Sequence, residues 1–163
     1  MILISLGANL NSRAGEPAQT LTAALNFIAM RGAKIAAVSP YYVTPAWPDP
    51  ADPSFVNAVA RIETALSPAD LLDLLHQAET AFGRVRSRPN APRPLDLDLL
   101  DYEGRVEAGP PVLPHPRLGG RAFVLVPLAD VAPDWVHPAG EGTVADLLAA
   151  LPAADLAGVR PIS

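Results

Sequence analysis

The sequence predicts an α+β fold: a ferredoxin-like β-α-β-β-α-β sandwich with a C-terminal extension. Two segments place apolar residues at the spacing of a helix face, and four short apolar segments have the length and composition of strands. They follow one another in the order strand, helix, strand, strand, helix, strand, in which the helices cover one face of the sheet. We therefore expect the opposite face to be free for a functional site.

In the first part of the chain, a strand is predicted over residues 2–6, which form a short apolar run. A helix is predicted over 16–31, where leucine and isoleucine recur at helical spacing. Residues 34–43 predict the second strand, which ends before Pro45 and a proline-rich loop.

The middle of the chain continues with a third strand, predicted over residues 55–62. Ser67 and Pro68 then have the residue types of a helix cap and a first helical turn, and Gly83 ends that helix. The fourth strand is predicted over 95–102.

The last third of the chain has weaker patterns. We predict a loop over 103–117, an apolar segment over 122–131 and a terminal helix over 143–151. A length of 163 residues predicts a single domain that spans 1–163.

Composition excludes several classes of protein. No apolar run approaches the length of a membrane span. The apolar run at the start of the sequence is too short for a signal peptide and lacks the charge of one. Cysteine is absent, which excludes disulfides and thiolate chemistry. The net charge of -5 argues against a general nucleic-acid binder. We expect a cytoplasmic protein with no nucleic-acid or membrane partner, and a monomer.

Asp96 and Asp98 are the most informative pair in the chain. Residues two apart on a strand point to the same face, so both carboxylates face one way and the neighbouring leucines face the other. Adjacent carboxylates repel each other, and a cation relieves that repulsion. Mg²⁺ is the best candidate because it takes carboxylate oxygens and is often completed by substrate phosphates. Such a pair is also common on half-exposed strands, but its position after an arginine cluster favours metal and phosphate.

The arginine cluster consists of Arg84, Arg86, Arg88 and Arg93, four arginines within ten residues of a chain that has a single lysine. The planar guanidinium group suits phosphate oxygens. A solvated face is the alternative, and some of these arginines could neutralise carbonyls at the end of the preceding helix. We favour phosphate contact for Arg93 most strongly.

Two further groups have less specific patterns. His115 and Arg121 lie six apart in a loop framed by proline, and such loops often carry function. Phe55 and Asn57 share a strand face, where a ring could stack on a flat heterocycle and an amide could bind its edge. Taken alone, Phe55 as a core residue and Asn57 as a turn cap is the simpler interpretation.

Together, these segments resemble the 6-hydroxymethyl-7,8-dihydropterin pyrophosphokinase family, which acts in folate biosynthesis. The segments that carry the resemblance are residues 5–10, 42–45, 55–59, 79, 83–86, 92–98, 114–117 and 121–128. It covers nearly the whole chain. The arginine-to-aspartate segment, 92–98, and the order of the segments are its most specific features.

The resemblance implies an ATP-dependent enzyme that transfers diphosphate to the hydroxymethyl group of the pterin, releases AMP and uses two Mg²⁺ ions. It implies that Asp96 and Asp98 hold both metals and act in catalysis with Arg84 and Arg93. The implied ATP-binding residues are His76, Glu79, Arg84, Arg86, Arg93, Leu99, His115 and Arg121. The implied pterin-binding residues are Phe55 and Phe123, which would sandwich the ring, and Thr44, Pro45, Trp47 and Asn57, which would bind its edge.

The sequence departs from the family pattern just before the aspartates. Family members often have Arg-Trp-Gly-Pro-Arg there, whereas this chain has Asn90 in the tryptophan position and is one residue shorter between Arg86 and Arg93. We expect the loop to seal differently over the pterin. Pro110 and Pro111 also stand where some members have a basic residue. On the residues alone, a metal-dependent phosphohydrolase and a non-enzymatic nucleotide sensor remain alternatives.

Overall fold

The computed structural model describes residues 1–162, so the last residue of the predicted domain lies outside it. The strands are β1 Ile2–Ala8, β2 Ala33–Val38, β3 Tyr42–Thr44, β4 Phe55–Thr64, β5 Asp96–Tyr102 and β6 Arg160–Pro161. The helices are α1 Pro17–Ala29, α2 Pro68–Ala81, α3 Ala122–Val131, α4 Val144–Ala149 and α5 Ala153–Ala157, with a 3-10 turn at Leu118–Gly120. The protein is a mixed α/β structure with an antiparallel sheet.

The sheet is built around β4. Its order is β5-β1-β4-β3-β6, and β2 pairs with the later half of β4 while β3 pairs with its beginning. The predicted single strand over 34–43 is therefore two strands, and that prediction is wrong. Ser39 interrupts it: its hydroxyl accepts from the Val59 N–H at 3.1 Å and donates to the Pro40 carbonyl at 2.8 Å. Pro40 has no N–H to continue the ladder.

Helices α1 and α2 cover one face of the sheet. Ile2, Ile4 and Leu6 alternate onto that face, are at most 4% exposed, and share one core with Leu21 of α1 and Leu71 of α2. This alternation is the expected consequence of the two-residue repeat of a strand.

Helix α2 begins as the sequence predicts. The Ser67 hydroxyl accepts from the Asp70 N–H at 3.1 Å, and Pro68 occupies the first turn, where no N–H is needed. Gly83 follows the helix with φ +90°, a conformation that glycine adopts at little cost.

The opposite face is not free, and the prediction that helices cover only one face is wrong. Helix α3 packs there, with Leu125 and Leu128 buried against Leu3, Val59 and Leu100. The segment that forms α3 is apolar on almost every side, so its helix is stable only when it is buried. Helix α4 packs on α3 and completes that layer.

The free part of this face lies at one end of the sheet. There, Gly7 at the end of β1 is flanked by Asn57 at the beginning of β4 and by Asp96 at the beginning of β5. The α3 contacts with Leu3 and Val59 lie further along the strands. One open end, rather than a whole face, is therefore left for a site.

The end of the chain differs from the predicted terminal helix. Residues 143–151 contain the short helix α4, which begins with a capping box between Thr143 and Asp146. Helix α5 and strand β6 follow it, and β6 pairs with the edge of β3. No helix within residues 1–162 is long and apolar enough to cross a membrane.

Candidate active site

Strand β5 separates the two carboxylates from the leucines, as predicted. Leu97 and Leu99 are each 3% exposed in the core beneath the helices. Asp96 and Asp98 lie on the other face, opposite Gly7 and Ser5 of β1. The alternation of the strand thus brings both carboxylates to the open end of the sheet.

Asp96 is neutralised by two guanidinium groups. Its two oxygens lie 2.8 Å from Arg84 Nη1 and 2.9 Å from Arg93 Nη2. Burial would raise the pKa of Asp96, but attraction to Arg93 and Arg84 outweighs it and holds that pKa below its ordinary value. Two arginine side chains therefore offset this charge.

Asp98 has no comparable neutralisation. Its nearest basic neighbour within residues 1–162 is His115, whose Nε2 lies 3.8 Å from Asp98 Oδ1. Burial raises the pKa of Asp98, and the charge of Asp96 raises it further, against weaker attraction to His115, Arg121 and Arg93. Asp98 is thus a partly buried carboxylate whose negative charge favours an incoming cation.

The donor set fits Mg²⁺. Within residues 1–162, no group of three His, Cys, Asp or Glu side chains converges on one point. Mg²⁺ does not need such a cage, because proteins often hold it by one or two carboxylates and leave its other positions to phosphates and water. Asp96 and Asp98 can supply those carboxylates.

Glu79 of α2 holds the arginines against the sheet. It is 3% exposed, accepts from the Leu97 N–H at 3.0 Å, pairs with Arg84, and lies 3.4 Å from Arg86 Nη2. Burial raises its pKa, although the Leu97 N–H and Arg84 oppose that shift. Arg84 therefore bridges two carboxylates, Glu79 and Asp96.

An open cleft lies beside these groups. Its volume is about 430 Å³, and its lining residues are His76, Glu79, Thr80, Arg84 and Arg86. The fold thus brings together four residues that the resemblance assigns to ATP, and it adds Thr80, which the sequence did not indicate. Leu99 is buried in the helix-covered core, so its side chain does not line this cleft.

His115 reaches Asp98 from the loop before α3, and the charge of Arg121, which precedes α3, also acts on Asp98. The His115 N–H donates to the Leu100 carbonyl at 2.9 Å, which ties this loop to β5. Its Nδ1 accepts from the Arg117 N–H at 3.2 Å, so a neutral His115 carries its proton on Nε2, facing Asp98. Burial lowers the pKa of His115, and Asp98 opposes that shift.

Two aromatic residues lie beside Arg93 and Arg121, and a buried amide lies on the same strand as one of them. Asn57 is buried and donates to the Thr44 hydroxyl at 2.6 Å. The Arg93 guanidinium lies 5.1 Å from the Phe55 ring centre, and the Arg121 guanidinium lies 5.5 Å from that of Phe123. Each aromatic residue predicted to sandwich a ring therefore lies beside an arginine predicted to hold phosphate.

Gly7 allows this arrangement. A Cβ at Gly7 would lie 2.7 Å from Asn57 Oδ1 and 3.7 Å from the Phe55 ring. Trp47, by contrast, is 70% exposed on the proline loop, and Pro45 is exposed with it. The fold places these two loop residues near Thr44 in the chain but does not bury them in a pocket.

The loop before β5 adopts a turn at the position where the family often has tryptophan. Asn90 has φ +60°, in the left-handed region that asparagine enters more readily than an aromatic residue. Arg88 is exposed, and its carbonyl accepts from the Ala91 N–H at 3.2 Å. The shortened segment is therefore a tight turn, with asparagine where the family often has tryptophan.

Asn9 is a site residue to which the sequence analysis assigned no role. It is 4% exposed and bonds to Arg93 and to Pro53, which lie on the two loops around the site. An asparagine directly after an apolar run is the signal in the sequence that could have indicated it.

Paired carboxylates, convergent arginines and an adjacent aromatic–amide pair form a site suited to binding phosphate groups together with a flat heterocycle. The chain belongs to the 7,8-dihydro-6-hydroxymethylpterin-pyrophosphokinase (HPPK) family, whose model matches residues 3–133.

Relatives support this assignment over most of their length. The chain is 43% identical to the 2-amino-4-hydroxy-6-hydroxymethyldihydropteridine pyrophosphokinase of Methylorubrum extorquens, over 91% of each chain. It is 41% identical to the protein of the same name from Pseudomonas aeruginosa, over 93% of this chain and 91% of that one.

Solved structures agree in fold. The crystal structure of wild-type Plasmodium falciparum HPPK-DHPS superposes with a TM-score of 0.66 at 13% identity, over 90% of this chain. This chain spans 40% of that longer protein.

Proposed function

We propose that this protein transfers diphosphate from ATP to 6-hydroxymethyl-7,8-dihydropterin, forming the pterin diphosphate and AMP in folate biosynthesis. One observation carries the proposal beyond family membership. The open end of the sheet brings the Asp96–Asp98 pair, the arginines and the Asn57–Phe55 pair to one place. A phosphate donor and a flat acceptor can therefore meet there.

The acceptor hydroxyl reacts at the β-phosphorus of ATP. Its oxygen forms a bond to that phosphorus and its proton passes to water, while the bond from that phosphorus to the α–β bridging oxygen breaks and AMP leaves with the electron pair of that bond. The chain supplies positioning and positive charge rather than a covalent intermediate. Arg84 and Arg93 hold phosphate oxygens with the N–H groups that Asp96 and Glu79 do not engage.

Two Mg²⁺ ions, held by Asp96 and Asp98, would supply further positive charge at the phosphates. The partly buried, poorly neutralised carboxylate of Asp98 supports this proposal. His115, which lies 3.8 Å from Asp98, and Arg121, whose charge acts on Asp98, would bind the same phosphate groups.

The nucleotide occupies the cleft beside α2 in this proposal. His76, Glu79, Arg84 and Arg86 line that cleft, and Leu99 contributes through its backbone.

The pterin lies between Phe55 and Phe123, with Asn57 and Thr44 at its edge and the exposed Pro45 and Trp47 on the adjoining loop. The Asn57–Thr44 hydrogen bond supports this assignment because it fixes the orientation of the buried Asn57 amide.

The strand order supports the finer fold assignment that we also propose. In a ferredoxin-like unit, the first strand lies between the third and the fourth. Here β2 and β3 together take the place of the second strand, so β4 is the third and β5 the fourth, and β1 lies between them. The residues from α3 onward then form the C-terminal extension of a single domain. A cytoplasmic location and a monomeric state stay predictions from the sequence.

The product of the reaction tests the proposal. The protein is incubated with ATP, Mg²⁺ and 6-hydroxymethyl-7,8-dihydropterin, and the nucleotides are separated by chromatography. AMP formed in proportion to pterin diphosphate is the expected result. Formation of ADP and inorganic phosphate, or ATP turnover that does not depend on the pterin, would instead identify a phosphohydrolase. Nucleotide binding without turnover would identify a sensor.

A further inference from the structure

Asn9 uses its whole polar side chain between two loops. It follows β1 directly, and its Oδ1 accepts from the Arg93 N–H at 2.8 Å while its Nδ2 donates to the Pro53 carbonyl at 3.1 Å. Its own backbone N–H donates to the Arg93 carbonyl at 3.1 Å. In a flipped amide, Nδ2 would face the Arg93 N–H, a second donor, and Oδ1 would face the Pro53 carbonyl, a second acceptor. The two partners therefore determine the orientation of the amide.

The two partners belong to separate parts of the site. Arg93 lies in the loop between α2 and β5, which carries the arginines. Pro53 lies in the loop of residues 45–54, between β3 and β4. Within residues 1–162, the bond from Asn9 to Pro53 is the only hydrogen bond that joins residues 45–54 to another part of the chain.

The bond to Arg93 has a further consequence. Because Asn9 holds both backbone groups of Arg93, the guanidinium starts from a fixed point. From there it reaches Asp96 at 2.9 Å and lies over the Phe55 ring. The position of one amide therefore affects a carboxylate, an aromatic ring and the proline loop.

We propose that Asn9 is a positioning residue that holds the arginine loop and the 45–54 loop at a fixed separation, so that the phosphate donor and the pterin are bound in register. The kinetic part of this inference rests on the proposed function. The structural part, the joint anchoring of two loops, does not.

Two variants separate the two bonds. Asn9→Asp keeps an acceptor for the Arg93 N–H but cannot donate to the Pro53 carbonyl. Asn9→Leu has a similar size and keeps neither side-chain bond. Asn26→Asp, on an exposed position of α1, makes the same chemical change away from the site and serves as the control.

Hydrogen exchange measures the anchoring without any substrate. In Asn9→Asp, we expect amide exchange to rise about tenfold in residues 45–54 and to stay unchanged in 85–94. In Asn9→Leu, exchange rises in both loops. The α2 and β4 amides exchange as in the wild type, which shows that the variants are folded.

Steady-state kinetics measures the consequence. Asn9→Asp is expected to raise KM for the pterin about tenfold and to leave KM for ATP within about twofold. Asn9→Leu raises both KM values and also lowers kcat about tenfold. Asn26→Asp matches the wild type in every measurement.

Unchanged exchange in both loops of Asn9→Leu overturns the proposal. So does faster exchange throughout the molecule with equal losses for both substrates, because that result means a general loss of stability. If the wild type does not transfer diphosphate, the proposed function fails, and the exchange data alone still decide whether Asn9 anchors the two loops.

Discussion

Replacing Asp98 by asparagine is expected to abolish turnover and at the same time stabilise the fold. The carboxylate is partly buried beside a second carboxylate, and its closest basic neighbour, His115, lies 3.8 Å away. Asparagine keeps the size of the side chain and removes the charge. Removing the negative charge of a carboxylate that is suited to bind a cation should therefore raise the stability of the fold.

The magnitude follows from the geometry of the strand. Residues two apart on a strand are separated by about 6.6 Å, where two unit charges repel by about 2.5 kcal/mol at an effective dielectric constant of about 20. Arg84 and Arg93 neutralise much of Asp96, and the Asp98 side chain is 33% exposed, so less than half of that repulsion remains. We expect Asp98→Asn to raise the free energy of unfolding by about 1 kcal/mol at pH 7.

The pH dependence gives the sign of the effect. Burial, and then the Asp96 charge, raises the pKa of Asp98 in the folded state above its unfolded value. Such a group stabilises the fold while it is protonated, below about pH 3.9, and that contribution is lost as the pH rises through the folded pKa. The advantage of Asp98→Asn is therefore largest near pH 7 and disappears as the pH falls toward about 4.

Urea unfolding at several pH values, combined with a diphosphoryl-transfer assay, checks both parts. Asp134→Asn removes the same charge from an exposed position and is the control for net charge. We expect at least a hundredfold loss of kcat, on the order of 2.7 kcal/mol, only in Asp98→Asn. An Asp98→Asn protein that is less stable at pH 7, or that turns over normally, would refute the reasoning.

Three further substitutions test other parts of the site and fold. Glu79→Gln removes the more buried of the two carboxylates that pair with Arg84 and should lower the free energy of unfolding, measured with urea, by about 2–3 kcal/mol; an unchanged midpoint would contradict the role of Glu79 in holding the arginines. Gly7→Ala should displace the Asn57 amide and raise KM for the pterin about tenfold, with KM for ATP unaffected. Tyr42→Phe removes a 2.5 Å hydrogen bond to a carboxylate on α3 and should cost about 1 kcal/mol. Because burial, reinforced by that carboxylate, raises the pKa of Tyr42 to about 12, this cost persists to about pH 10 and disappears as the pH rises to about 12.

The elements that the sequence predicts well are those with strong local signals. The cap at Ser67 and the glycine at Gly83 define α2 to within a few residues, because capping depends on neighbours in the chain. Residues 34–43 lack such a signal. Their division into two strands depends on Ser39 bonding to Val59, a residue 20 positions away.

The layer formed by α3 shows the same limit. An apolar segment over 122–131 is visible in the sequence, but an apolar segment does not indicate which surface it covers. The choice was decided by the apolar residues that the strands present on their second face, including Leu3 and Leu100. That packing reduced the predicted open face to one open end.

By itself, the sequence determined that Asp96 and Asp98 share a face and that arginines precede them, because alternation along a strand and order along a chain are local properties. Only the tertiary structure decided that Asp96 is neutralised by Arg84 and Arg93 while Asp98 is not. Charge balance at a site depends on which side chains distant parts of the chain bring within a few ångströms. The anchoring of two loops by Asn9 likewise depends on its contacts with Pro53 and Arg93, which lie 44 and 84 positions further along the chain.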